Sequence, residues 1–120
     1  EICDKLNLPH SFIHRNINDG MSGGERKKNE LLHMWILETN FILLDELDSG
    51  LDVDALKLCG KSIMEYYQQY KPSILIITHH TQILDTITPD YVHIIKNKTI
   101  ALTGDLNTAK QIEQSGFENI

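Results

Sequence analysis

The chain has 120 residues, 41% of them hydrophobic and 23% charged, a balance that suits one small globular unit. Its 17 acidic residues outweigh 11 basic ones for a net charge of −6. That balance argues against nucleic-acid binding, which leaves a basic footprint. The apolar runs fall far short of the roughly 20 residues that cross a bilayer, so no direct membrane insertion is expected. Cys3 and Cys59 are isolated and fit neither zinc nor redox spacing, which suits a reducing compartment.

In chain order, residues 1–7 read as the end of a helix and Pro9 to Gly20 as a loop. Ser22 with Glu25 three residues later is a capping-box pattern, opening a helix to about Glu38. Leu31, Met34 and Trp35 give that helix its apolar stripe. Phe41–Leu44 is a continuous apolar run, the pattern of a strand buried on both faces. A second helix is expected from Asp54 to Tyr70, ended by Lys71-Pro72, then a buried strand over Ser73–Thr78 and a short helix near Thr81–Ile87. Tyr91–Ile95 and Thr99–Leu102, joined at Lys96-Asn97-Lys98, read as a hairpin, and Leu106–Gln114 as a last helix with Gly116 after it. Strands alternating with helices predict an α/β fold, with a mainly parallel sheet, flanking helices and an antiparallel edge hairpin.

Three places in this order carry chemistry. The first strand ends in Asp45-Glu46, at the carboxyl edge where ligands of α/β folds bind. One acid there can hold Mg²⁺ against nucleotide phosphates, and the next can orient or deprotonate an attacking water. Ser22-Gly23-Gly24 offers a hydroxyl and open backbone amides at a helix N-terminus, an anion site favoured by the helix dipole. His79 follows the second strand and can hydrogen-bond a phosphate or a water. Each has an ordinary reading in isolation: a solvated strand end, a plain cap, a structural histidine. Gly60-Lys61-Ser62 looks like the end of a P-loop but has Ala55 where the pattern needs glycine, and it falls mid-helix. Asp48, Asp52 and Asp54 lack EF-hand spacing. Asn97-Lys98-Thr99 is read as a turn rather than a glycosylation site.

Taken together, Met21-Ser22-Gly23-Gly24-Glu25, Phe41-Ile42-Leu43-Leu44-Asp45-Glu46 and Ser49-Gly50-Leu51-Asp52 resemble the signature motif, Walker B strand and D-loop of ABC-type ATPases. The wording Asp48-Ser49-Gly50-Leu51-Asp52-Val53-Asp54-Ala55-Leu56-Lys57 replaces the usual Pro-Thr form and is similar to the SufC family. Gly24-Glu25-Arg26-Lys27-Lys28-Asn29, Thr78-His79-His80 with Ile83-Leu84-Asp85, Pro89-Asp90-Tyr91-Val92-His93 and Thr103-Gly104-Asp105 extend the likeness from about Asn18 to Phe117. Leu47 departs from the small polar residue usual at its place, and the chain contains no P-loop or Q-loop.

The resemblance implies the C-terminal part of a P-loop ABC ATPase domain, with residues 1–38 ending a helical subdomain and 39–120 running from Walker B to the C-terminus. It implies ATP and Mg²⁺ as cofactors and a transient ATP-dependent homodimer whose signature serves the partner's nucleotide. In it Asp45 holds the metal and Glu46 and His79 are catalytic. Ser22, Gly23, Gly24, Glu25 and Asp52 line the nucleotide. It also implies work in iron–sulfur cluster assembly on the SufB and SufD scaffold proteins, in a bacterial cytoplasm or a plastid-type organelle. Two other readings stand beside it: the nucleotide-binding subunit of a membrane ABC transporter, and a non-catalytic piece that only docks on partners. Without a P-loop the 120 residues alone are expected to be inactive.

Overall fold

The computed structural model describes residues 1–14 and 20–117. Their order is α1 (Ile2–Lys5), a 3₁₀ turn (His10–His14), α2 (Gly23–Leu37), β1 (Phe41–Asp45), α3 (Val53–Tyr70), β2 (Ser73–Ile77), a 3₁₀ turn (Gln82–Asp85), β3 (Val92–Lys96), β4 (Thr99–Gly104) and α4 (Leu106–Ser115). The 3₁₀ turn at 10–14 lies inside the stretch expected to be loop, and residues 15–19 of that stretch fall outside the described residues. The chain divides into two compact units, residues 1–78 and 79–120.

In the first unit, β1 and β2 pair in parallel, Phe41 against Ser73 through Asp45 against Ile77. Beside them α2 buries Leu31, Leu32, Met34 and Trp35. The face of α3 built from Leu56, Cys59, Gly60, Ile63 and Tyr66 is buried too, the i, i+3, i+4 spacing of an apolar stripe. Trp35 ties the helices together: its indole N–H donates to Ser62 Oγ at 2.9 Å, and its ring meets that of Tyr66 edge-on at 5.2 Å. The Tyr66 hydroxyl donates to the Thr39 carbonyl at 3.2 Å, in the turn that leads to β1. Lys5 of α1 sits over the Trp35 ring, 4.7 Å from its centre. Burial pushes the Cys59 thiol up to about 11, against the pull of the nearby Lys28, so this cysteine is an inert part of the core.

The expectations of a first strand buried on both faces and of a buried second strand are corrected. Ile42 is 7% exposed, whereas Phe41, Leu43, Leu75 and Ile77, which share the opposite face, are 61, 55, 48 and 47% exposed. The sheet of this unit has two strands, and the described residues supply cover for one side. An apolar run shows that a strand can be buried on both sides, but not which segments will cover it.

The second unit holds the hairpin. Asn97 and Lys98 both take positive φ, 52° and 63°, the twist that a two-residue turn needs to match its strands. The ladder runs from Val92 opposite Gly104 to Lys96 opposite Thr99, with an irregularity at Ile94/Ile95. Asp105 caps α4 by accepting the Thr108 N–H, which holds its carboxyl below the usual carboxylate range. A Cβ on Gly104 would collide with the Thr108 side chain, so the strand must end in glycine for the cap to close.

Ile63 is 0% exposed and Ile36 61%. Ile63→Ala should therefore cost about 2–5 kcal/mol, while Ile36→Ala should stay within about 0.5 kcal/mol. Urea unfolding of the two variants checks this, and equal costs would contradict the core described above.

Candidate functional site

Serine at position 22 takes extended backbone and starts α2. Its Oγ accepts the Glu25 N–H at 3.2 Å, and Glu25 Oε2 accepts the Ser22 N–H at 2.9 Å. The capping box read from the sequence is therefore present. It uses a lone pair of Ser22 and leaves the hydroxyl proton as a donor. The first amides of a helix have no partner within it, so the Gly23 and Gly24 N–H groups complete a donor set for an anion. A Cβ built on Gly23 meets nothing within 4 Å, so there is room beside this residue. Glu25 is occupied in the cap, and its negative charge there offsets part of the helix dipole.

Asp45 is the last residue of β1, and the ladder continues one step as the Glu46 N–H donates to the Ile77 carbonyl at 2.8 Å. Both acids are exposed. Glu46 takes a left-handed backbone, φ 48°, a conformation that costs a non-glycine residue about 1–2 kcal/mol. Two overlapping turns follow, with Ser49 N–H to the Glu46 carbonyl at 3.0 Å and Leu51 N–H to the Asp48 carbonyl at 3.3 Å. Leu47, 2% exposed, anchors this loop in the core. Asp52 then caps α3, its Oδ1 accepting the Ala55 N–H at 2.7 Å.

The two helix starts lie side by side. A Cβ on Gly24 would stand 4.0 Å from Leu51 Cδ2, and in the last turn of α2 Trp35 meets Ser62 at the middle of α3. Both pairs are 27 positions apart (51 − 24 and 62 − 35), so α2 and α3 run in the same direction with their N-termini together. The positive ends of two helix dipoles and the Asp45–Asp52 loop thus share one end of the first unit. Ser22, Gly23, Gly24, Glu25, Asp45, Glu46 and Asp52 all belong to this unit. His79 opens the second, exposed, with its ring 3.9 Å from that of His80. Among the described residues no group of three or more His, Cys, Asp and Glu side chains converges as a metal cage. One exposed carboxylate at a strand end suits Mg²⁺, which takes one or two carboxylates and fills its shell with phosphate oxygens and water. Sequence reasoning missed Leu47 as an anchor, although a leucine between acids is a visible sign of one. It also missed the bond between Asp48 and Thr78 described below.

No protein-family model matches the chain. Among curated proteins, it is 47% identical over 107 residues to "Probable ATP-dependent transporter ycf16" of Trieres chinensis, covering 89% of this chain and 42% of that one. It is 43% identical over 112 residues to "Probable ATP-dependent transporter SufC" of Escherichia coli K12, covering 93% and 45%. With "ABC transporter I family member 6, chloroplastic" of Arabidopsis thaliana it shares 44% over 115 residues, covering 96% and 34%. The chain belongs to the SufC-type ABC ATPases. It spans less than half the length of these curated relatives. A solved structure from work on the ATP-driven dimerization and DNA-stimulated activation of SMC ATPases matches its fold with a TM-score of 0.59. That match has 20% identity and covers 79% of this chain and 61% of the other. It supports the α/β fold.

Since Glu46 holds a left-handed backbone, Glu46→Gly should raise the unfolding free energy by roughly 0.5–1 kcal/mol. Equilibrium unfolding tests this; a loss of stability would contradict the strain assigned to Glu46.

Proposed function

We propose that this chain supplies the signature and acid half of an ATP-hydrolysing subunit in iron–sulfur cluster assembly, driving the SufB and SufD scaffolds. The observation that carries the proposal is the placement of the Ser22-Gly23-Gly24 helix start against the loop that follows Asp45-Glu46, with Gly24 beside Leu51. Family membership at 43–47% identity supports the same reading. Residues 1–38 then end the helical subdomain, and 39–120 run from Walker B onward.

In this reading Asp45 holds Mg²⁺, which offsets charge on the phosphates when bound. The Glu46 carboxylate accepts a proton from, and aims, the water that attacks the γ-phosphorus. His79 donates to a γ-phosphate oxygen. Ser22 Oγ–H and the Gly23 and Gly24 amides donate to the γ-phosphate of nucleotide held by a second subunit, with Glu25 orienting Ser22. Asp52, already the cap of α3, lies where the two sites meet. Hydrolysis then depends on transient closure of a homodimer, and phosphate binding becomes motion.

The printed names of the relatives say "transporter", which favours a second reading as the nucleotide-binding subunit of a membrane transporter. The Asp48-Ser49-Gly50-Leu51-Asp52 wording departs from the Pro-Thr form general to ABC-type ATPases and supports the first. Co-purification with soluble scaffolds or with a membrane-spanning partner separates the two. Among the described residues no helix is long and apolar enough to cross a membrane. The chloroplastic and bacterial relatives support a plastid-type organelle or a bacterial cytoplasm.

No residue of the 120 supplies the P-loop lysine and amide cradle for the β-phosphate, so this chain by itself should show no ATPase above background. In a full-length protein carrying the same sequence, Glu46→Gln should abolish hydrolysis and prolong the ATP-bound dimer. Phosphate release and gel filtration with ATP check both; turnover by the 120-residue chain that disappears with Glu46→Gln would overturn the reading.

A further inference from the structure

Asp48 is 7% exposed, and its Oδ2 accepts the hydroxyl of Thr78 at 2.5 Å, the short distance of an O–H donor on a carboxylate. Its other oxygen, Oδ1, is buried with no hydrogen-bond partner among the described residues. An uncompensated carboxylate oxygen is unfavourable in the interior, so a smaller neutral residue would serve the core better. Asp48 nevertheless stands where two strand ends are tied together. It lies two residues past Glu46, inside the paired turns of the loop. Thr78 follows β2 and immediately precedes His79. Leu47, fully in the core beside Asp48, keeps the loop from swinging away.

We propose that Asp48 is a positioning residue for nucleotide hydrolysis: by holding the Thr78 hydroxyl it ties the peptide from which His79 departs to the loop that carries Glu46. The proposal rests on the ATPase reading above. A tether of this kind acts on the geometry of the transition state more than on nucleotide affinity, because displacements near 1 Å cost rate steeply. Asp48 touches no substrate in this account; it works through Thr78.

The test is made in a full-length protein carrying this sequence. Asp48→Ala and Thr78→Val should each lower kcat for MgATP by about tenfold or more, with KM for ATP little changed. The double variant should lose no more than the worse single one, as for two ends of one contact. Asp48→Asn and Thr78→Ser, which keep an acceptor and a hydroxyl, should retain most of the wild-type kcat. Thermal unfolding of each variant is followed in parallel. Lower stability with unchanged kcat in the folded protein would mean a merely structural contact and would overturn the proposal, as would additive losses in the double variant. The tether is also read without turnover, as amide exchange at Thr78 and His79 in the 120-residue chain. Faster exchange in Asp48→Ala but not in Asp48→Asn is expected, and unchanged protection in Asp48→Ala would overturn it. A wild-type protein with no turnover refutes the ATPase reading itself, an outcome distinct from an active wild type whose variants are unaffected.

Discussion

The indole of Trp35 sets the direction of α2, and the contents of the candidate site follow from that direction. A buried indole N–H must find an acceptor, and Ser62 on α3 is the one it finds. Tyr66 closes the cluster edge-on and reaches back to Thr39 at the entry to β1. Trp35 and Tyr66 together therefore hold the last turn of α2, the middle of α3 and the turn that leads to β1. Eleven residues toward the N-terminus from Trp35 and from Ser62 stand Gly24 and Leu51 (35 − 24 and 62 − 51), and these too are neighbours. Two helices joined in the same direction, at the last turn of α2 and the middle of α3, deliver their N-termini to the same place.

That common end is where opposing charges are balanced. The amides of two helix starts are positive, and Asp45, Glu46, Asp48, Asp52 and Asp54 crowd ten positions beside them. Two carboxylates, Glu25 and Asp52, are spent on caps, and Asp48 is turned inward onto Thr78. Asp45 and Glu46 remain exposed, and Glu46 takes φ 48°. The same inward turn of Asp48 brings the end of β2 within reach of the loop, so the residue before His79 is fixed by the segment that carries the acid pair.

Much of this was legible in the residues. The capping box at Ser22 and Glu25, the stripe of Leu31, Met34 and Trp35, and the turn at Asn97-Lys98 are local patterns set by backbone chemistry, and they appear where the sequence places them. The motif order from Ser22 to Asp52 pointed to the family because it joins a helix start, a strand end and a turn at fixed spacing. Long-range facts were not legible. Phe41 and Leu43 read as doubly buried, yet their face is open, because cover depends on what packs against a strand and not on the strand itself. The Asp48–Thr78 bond spans thirty positions, and no periodicity announces a contact of that kind.

The central claim is that an ATP site of this protein is composite, with Asp45 acting beside its own subunit's nucleotide and the Ser22-Gly23-Gly24 helix start acting on the partner's. A mixing experiment with full-length subunits tests it most directly. Gly23→Asp, at a position with room for a side chain, places a carboxylate where phosphate would bind and should be inactive alone. Asp45→Asn should be inactive alone through loss of the metal-holding charge. Mixed and exchanged before ATP is added, the two inactive subunits should regain hydrolysis, since one of the two sites in a mixed dimer then has both of its halves intact. Mixtures as inactive as their parents, beside an active wild type, would contradict the account.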